Sequence, residues 1–190
     1  MFTTQSLQPR FTAAPAYDGY LATGTPEQQR RWAQVLDAAK LTPAQEVLIA
    51  GFVREMNILV ISGIWCGDCV QQIPLLRRIE QANPTRIHLR IIDRDEHRDL
   101  SSQLRLNGGD RIPLALFLSE DMEFCGLFGD RTLNRYRALA ARQLGPACPT
   151  GVAAPDQGEL AATLADWVCE FERIQLMLRL SARLRQRHTD

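Results

Sequence analysis

The chain has 190 residues, 45% hydrophobic and 23% charged, which suits a globular protein of one domain plus extensions. Lys+Arg and Asp+Glu balance at 22 each, so no global charge points to nucleic acid or a membrane surface as partner. The opening residues hold no apolar run fit for a signal core, and no segment approaches the roughly 18 to 20 apolar residues of a membrane span, so the expected location is cytoplasmic.

Residues 1–24 contain Pro9, Pro15, Gly19 and Gly24 with little periodicity, and predict an irregular arm. Thr25-Pro26-Glu27-Gln28 predicts a helix start, with Thr as cap, Pro in the first turn and Gln at the capping-box position. Trp32, Val35, Leu36 and Ala39 follow at helical spacing. Thr42-Pro43-Ala44-Gln45 repeats the signal and opens a second helix expected to carry Val47, Leu48, Phe52, Val53 and Met56 towards a core. Residues 1–55 thus read as an N-terminal arm and helical extension.

From residue 57 the period changes. "NILVIS" is a buried-strand pattern, and the segment from Cys66 to about Gln81 is helical, with Val70, Ile73, Leu76 and Ile79 on one side. "RIHLRII" alternates, with Ile87, Leu89 and Ile91 facing one way and Arg86, His88 and Arg90 the other. Strand, helix and strand make a βαβ unit with a right-handed crossover. A short helix follows over about Asp95 to Arg105, then the loop "NGGDRIP". "LALFL" begins a strand right after Pro113, and "SEDM" turns it into "EFCGLFG", a β-hairpin. A helix from Asp130 to about Arg142 closes a core expected over residues 56–142. Residues 143–190 read as a Pro- and Gly-rich linker and a long helix from about Glu159 to Gln186. Its Leu160, Leu164, Trp167, Phe171, Ile174 and Leu178 predict an amphipathic face lying across the domain, in preference to a coiled-coil seam. All three segments are expected to form one unit.

The chemistry concentrates in "IWCGDCVQQIP", residues 64 to 74. Cys66 falls where a buried strand hands over to a helix. Unpaired backbone N–H groups and the helix dipole there stabilise a thiolate. Cys69 lies one turn on, on the same side, so the two sulfurs can close a small disulfide. Such a pair works in two steps: Cys66 attacks a substrate disulfide, and Cys69 resolves the mixed disulfide intramolecularly. A structural zinc site needs two more ligands. Cys125, Cys148 and Cys169 are singletons and His88, His97 and His188 form no close pair, so no metal is expected.

Trp65-Cys66-Gly67-Asp68-Cys69, the βαβ around it and the Ile112-Pro113 that opens the hairpin resemble the thioredoxin family. The resemblance runs over about residues 56–142 and implies an α/β fold with a four-stranded mixed sheet flanked by helices, in the order edge "RIHLRII", "NILVIS", "LALFL", "EFCGLF". It implies that Pro113 is cis and faces the disulfide, that Ile112 offers its backbone to an extended substrate, and that Gly129 keeps the groove open. It also implies protein disulfides as substrates and recharging by a reductase or another dithiol, with no cofactor of the chain's own. Two departures stand out. Asp68 occupies the position where the commonest family motif has proline, and Val60 stands where many members carry a buried acid. The only lysine is Lys40, so the family's usual proton route for the resolving thiol is absent.

The expected function is therefore a thiol–disulfide oxidoreductase with Cys66 as nucleophile and Cys69 as resolving thiol. The alternative is a binding module whose cysteines only sense redox state. Trp65 reads as a groove wall beside the pair. Asp68 is expected to face solvent and to raise the Cys66 pKa. Asp93 and Asp95 read as loop or capping residues more than as proton relays, Cys125 as a small core residue, and Cys148 and Cys169 as incidental.

Overall fold

Hydrophobic pattern and turn chemistry place four strands in one mixed sheet of order β2-β1-β3-β4. The computed structural model describes residues 4–144 and 158–190, with side chains from residue 6; the linker expected at 145–158 lies outside the described residues except for Gly158. Strand β1 (Met56–Ser62) is buried along its whole length, as a continuous apolar run at a sheet centre must be. It runs parallel to β2 (Ile87–Asp93) and antiparallel to β3 (Leu114–Ser119), which forms a hairpin with β4 (Phe124–Gly129). The strand order and the mixed sheet are those expected from sequence.

Helix α5 (Gly67–Ala82) connects β1 to β2, α6 (Arg98–Ser101) is a single turn within the longer stretch expected, and α7 (Leu133–Leu144) follows the hairpin. Helix α8 (Glu159–Leu180) buries Leu164, Trp167, Phe171, Ile174 and Leu178. Phe171 meets Phe117 edge-on at 5.1 Å and Trp167 meets Phe128 at 4.8 Å, so α8 covers the sheet face that also carries Ile58 and Val60. Full burial of each such ring contributes about 2–3 kcal/mol. The single long helix expected is broken: Ser181 leaves helical geometry, accepts the Leu184 N–H and starts α9 (Ala182–His188).

The N-terminal expectations need correction. Residues 4–24 form not an irregular arm but α1 (Thr4–Ala13) and α2 (Tyr17–Leu21), burying Leu7, Phe11, Tyr17 and Tyr20. Helices this short carry too few apolar residues to show a period, and tertiary packing decides them. Tyr17 and Tyr20 pack on Trp32 at 5.9 and 5.8 Å. Helices α3 (Pro26–Ala38) and α4 (Pro43–Ala50) start at complete capping boxes on Thr25 and Thr42, as read from sequence. Yet α4 stops at Ala50, leaves Val47 and Val53 exposed, and hands Met56 to β1. The stop is enforced by side chains: Asn83 Nδ2 donates to the Ile49 and Phe52 carbonyls, and Gln175 Oε1 accepts the Val53 and Arg54 N–H groups.

Strand β2 forms one edge of the sheet, and that edge is covered. Arg86 is exposed, but the outward backbone donors are occupied: Leu89 N–H by Glu80 Oε1 at 2.9 Å and Ile91 N–H by the Pro15 carbonyl at 3.0 Å. Arg90 lies over the Phe11 ring. Coverage by the N-terminal segment, more than charge, closes this edge.

Candidate active site

Cys66 is the N-cap of α5, with extended backbone (φ −76°, ψ 125°), and Cys69 sits fully buried one turn in. Both are unbonded thiols. The strand-to-helix handover is held by the Trp32 indole, which donates to the Ile64 carbonyl at 3.2 Å. Cys66 Sγ lies 3.9 Å from the Ile112 carbonyl oxygen, and the Ile112–Pro113 bond is cis. Cys66, Ile112 and Pro113, forty-odd residues apart in sequence, are thus brought together.

The two thiols differ sharply. Cys66 is brought down from 9.0 to about 6, chiefly by the hydrogen bond from the Cys69 thiol, with the Cys69 and Asp68 backbone N–H groups assisting against partial burial and the Asp68 charge. Cys69 is pushed up by burial, and further by its hydrogen bond to Cys66 and the Cys66 charge. One proton is held on the inner sulfur while the outer sulfur is a thiolate at neutral pH. That arrangement can attack an external disulfide and then resolve it.

Asp68 departs from expectation. It does not face solvent: its Oδ2 accepts Arg131 Nε and Nη2 at 2.9 and 2.6 Å, its Oδ1 accepts Arg135 Nε and Nη2 at 3.3 and 3.2 Å, and its side chain is only 16% exposed. Two guanidinium groups, Arg131 just before α7 and Arg135 within it, compensate the carboxylate, whose charge still pushes the Cys66 thiol up against the stronger pull of Cys69. No pattern in the sequence marks Arg131 and Arg135 as partners of the motif; the return of the hairpin brings them to it.

Gln72 was also missed. Buried in α5, it donates to the Asp130 carbonyl at 2.7 Å and accepts the Thr132 N–H at 3.3 Å, tying the cysteine helix to the turn after β4. Asp130 in turn accepts the Tyr136 hydroxyl at 2.5 Å and Arg111 Nη1 at 3.2 Å. The network reaches the residue before Ile112 and steadies three chain segments around the thiols.

Gly129 has φ +138°, and a Cβ there would stand 2.3 Å from the Pro113 carbonyl oxygen. Only glycine lets these two segments approach so closely. Gly67, by contrast, has open space around it. Trp65 is 52% exposed beside Cys66, with the Arg94 guanidinium 5.0 Å above its ring. Asp93 Oδ1 accepts the Asp95 N–H, and Asp95 pairs with Arg94 and Arg98, the loop roles read from sequence. Cys125 is half-buried in β4, Cys169 is exposed on α8, and Cys148 lies outside the described residues. Among the described residues no group of three or more His, Cys, Asp or Glu is placed to hold a metal, and no helix is long and apolar enough to cross a membrane.

Sheet order, crossover helix and a paired-thiol helix start beside a cis-proline define a thioredoxin-like α/β protein. A model of the thioredoxin family matches residues 14–141, and the chain belongs to that family. The match takes in α2, α3 and α4 as well as the sheet. Among solved structures, a protein of unknown function, PA1234 from Pseudomonas aeruginosa, is 22% identical with a TM-score of 0.66, covering 92% of this chain and 97% of its own. An HIV epitope-scaffold is 23% identical with a TM-score of 0.67, covering 86% and 95%. These likenesses concern the fold alone. No curated protein matches the sequence.

Proposed function

We propose that the chain is a thiol–disulfide oxidoreductase that reduces or exchanges protein disulfides through Cys66 and Cys69. The observation that carries this reading is the inequality of the two thiols: an accessible one lowered to about 6 and a buried one held protonated beside it. The Cys66 thiolate attacks a substrate sulfur, forming a mixed disulfide and releasing the other substrate sulfur as a thiolate. Cys69 then attacks Cys66 Sγ, closing the intramolecular disulfide and freeing the second substrate thiol. The Ile112 backbone beside Pro113 gives an extended peptide strand something to pair with, and Trp65 walls the approach. An external reductase or dithiol restores the pair.

The test is reduction of insulin disulfides with dithiothreitol as the electron source, comparing wild type with Cys66→Ser and Cys69→Ser. The expected outcome is catalysis by wild type, loss to the uncatalysed rate in Cys66→Ser, and accumulation of a mixed disulfide on Cys69→Ser. Equal weak activity in wild type and Cys66→Ser would sink the proposal in favour of a binding module.

A further inference from the structure

Helix α8 buries one face and leaves another in solvent. Along its last three turns, Leu176, Met177 and Leu180 stand 53%, 39% and 77% exposed. One exposed apolar residue calls for no reason, but three within two turns make a patch. Val53, also exposed, gives its N–H to Gln175 Oε1 and so adjoins them. On the outward side of α8, Cys169, Arg173, Leu176 and Leu180 follow at steps of four, three and four, and all are exposed. That is the spacing of a seam that packs against a second helix. The Arg173 guanidinium is held by Glu170, so it does not stand in the seam as a bare charge. Glu172 and Arg179, seven residues apart, lie on one flank of the seam. Among the described residues neither side chain forms an ion pair; Arg179 feels only the more distant Asp190 carboxylate, which Arg54 already holds.

We propose that the outward face of α8 from Cys169 to Leu180 is the contact surface of a two-fold dimer of this chain, with the two α8 helices antiparallel. A two-fold axis near residues 174–175 sets Cys169 against Leu180 of the second copy and Arg173 against Leu176, each twice. In an antiparallel pair like flanks meet, so Glu172 of each copy comes beside Arg179 of the other, again twice. A parallel pair would bring that flank against the opposite one, where Met177 stands, and would leave both charges unanswered. A stripe whose charges complement themselves selects a second copy as its occupant. Residues 169–180 span about 18 Å, which buries less than the roughly 800 Å² per partner of a standard interface. The dimer is therefore weak and dissociates on dilution. Gln175 fastens this part of α8 to the chain entering β1, and Cys66 follows the other end of β1, so both thiols stay open. The inference is independent of their chemistry.

Sedimentation velocity of the full-length chain, kept reduced, from about 5 to 500 µM tests the proposal. Wild type should shift from monomer towards dimer as its concentration rises. Glu172→Arg and Arg179→Glu should each weaken association about tenfold, because each turns two attractive pairs into two repulsive ones. An equimolar mixture of the two variants should associate again, since their charges then oppose across the seam. Leu180→Glu should lose the dimer alone and in every mixture. Circular dichroism and an unchanged thermal midpoint confirm that these surface changes leave the fold intact. A wild type that stays monomeric at 500 µM overturns the proposal and gives the face to a partner of another kind. A dimer that ignores both charge reversals, or variants that fail to reassemble on mixing, overturns it as well.

Discussion

Replacing Cys69 by alanine should take away a large part of the Cys66 acidity. Cys66 stands at about 6 against an ordinary 9.0, a thousandfold gain in which the Cys69 hydrogen bond is the leading cause. A hydrogen bond to a charged group contributes about 1.5–3 kcal/mol, and partial exposure of Cys66 brings it towards the lower end. At about 1.4 kcal/mol per tenfold, loss of that bond moves the Cys66 titration from about 6 to roughly 7–7.5. The thiolate fraction at pH 7 then falls from about 90% to about 25–50%. Alkylation of Cys66 by iodoacetamide from pH 4 to 9, followed by mass spectrometry, reads this directly. Cys69→Ser, which keeps a donor, should move less. A Cys69→Ala profile that still turns over near 6 would refute the reasoning and assign the acidity to the helix N-terminus alone.

Asp68→Asn should lower the Cys66 titration further, because Arg131 and Arg135 lose their counter-charge beside it, and should cost about 1–3 kcal/mol in urea denaturation. Unchanged stability and an unchanged titration at low salt would show that the ion pairs contribute nothing. Gly129→Ala places a Cβ 2.3 Å from the Pro113 carbonyl oxygen at φ +138°. Overpacking and backbone strain together predict a loss of about 3 kcal/mol, or a Tm lower by roughly 6–12 °C. A loss under about 0.5 kcal/mol would mean that the two segments part without consequence.

The core of this fold was legible because its signals are local. The five apolar residues of β1, the capping boxes at Thr25 and Thr42, and the strand after Pro113 each follow from neighbours a few positions away. So did the placement of Cys66 and Cys69 at a helix start. What escaped depends on distant partners. Leu7, Phe11 and Tyr17 make helices only because α3 and β2 are there to receive them. The end of α4 is set by Asn83 and Gln175, residues 34 and more positions away. Asp68 looked like a free acid because no sequence pattern announces that Arg131 and Arg135 will meet it.

The position of α8 has a bearing on biosynthesis. Its Trp167, Phe171 and Leu178 roof the sheet face that holds Ile58, Val60 and Phe117, and Gln175 fastens the chain entering β1. Roughly 110 residues separate Cys66 from Leu178. At about 5–20 residues per second the ribosome needs roughly 6–20 s to deliver that roof after the first cysteine has been added. Throughout that interval the apolar face of β1 and β3 stays uncovered, so the sheet's packing is completed by a segment made long after its strands.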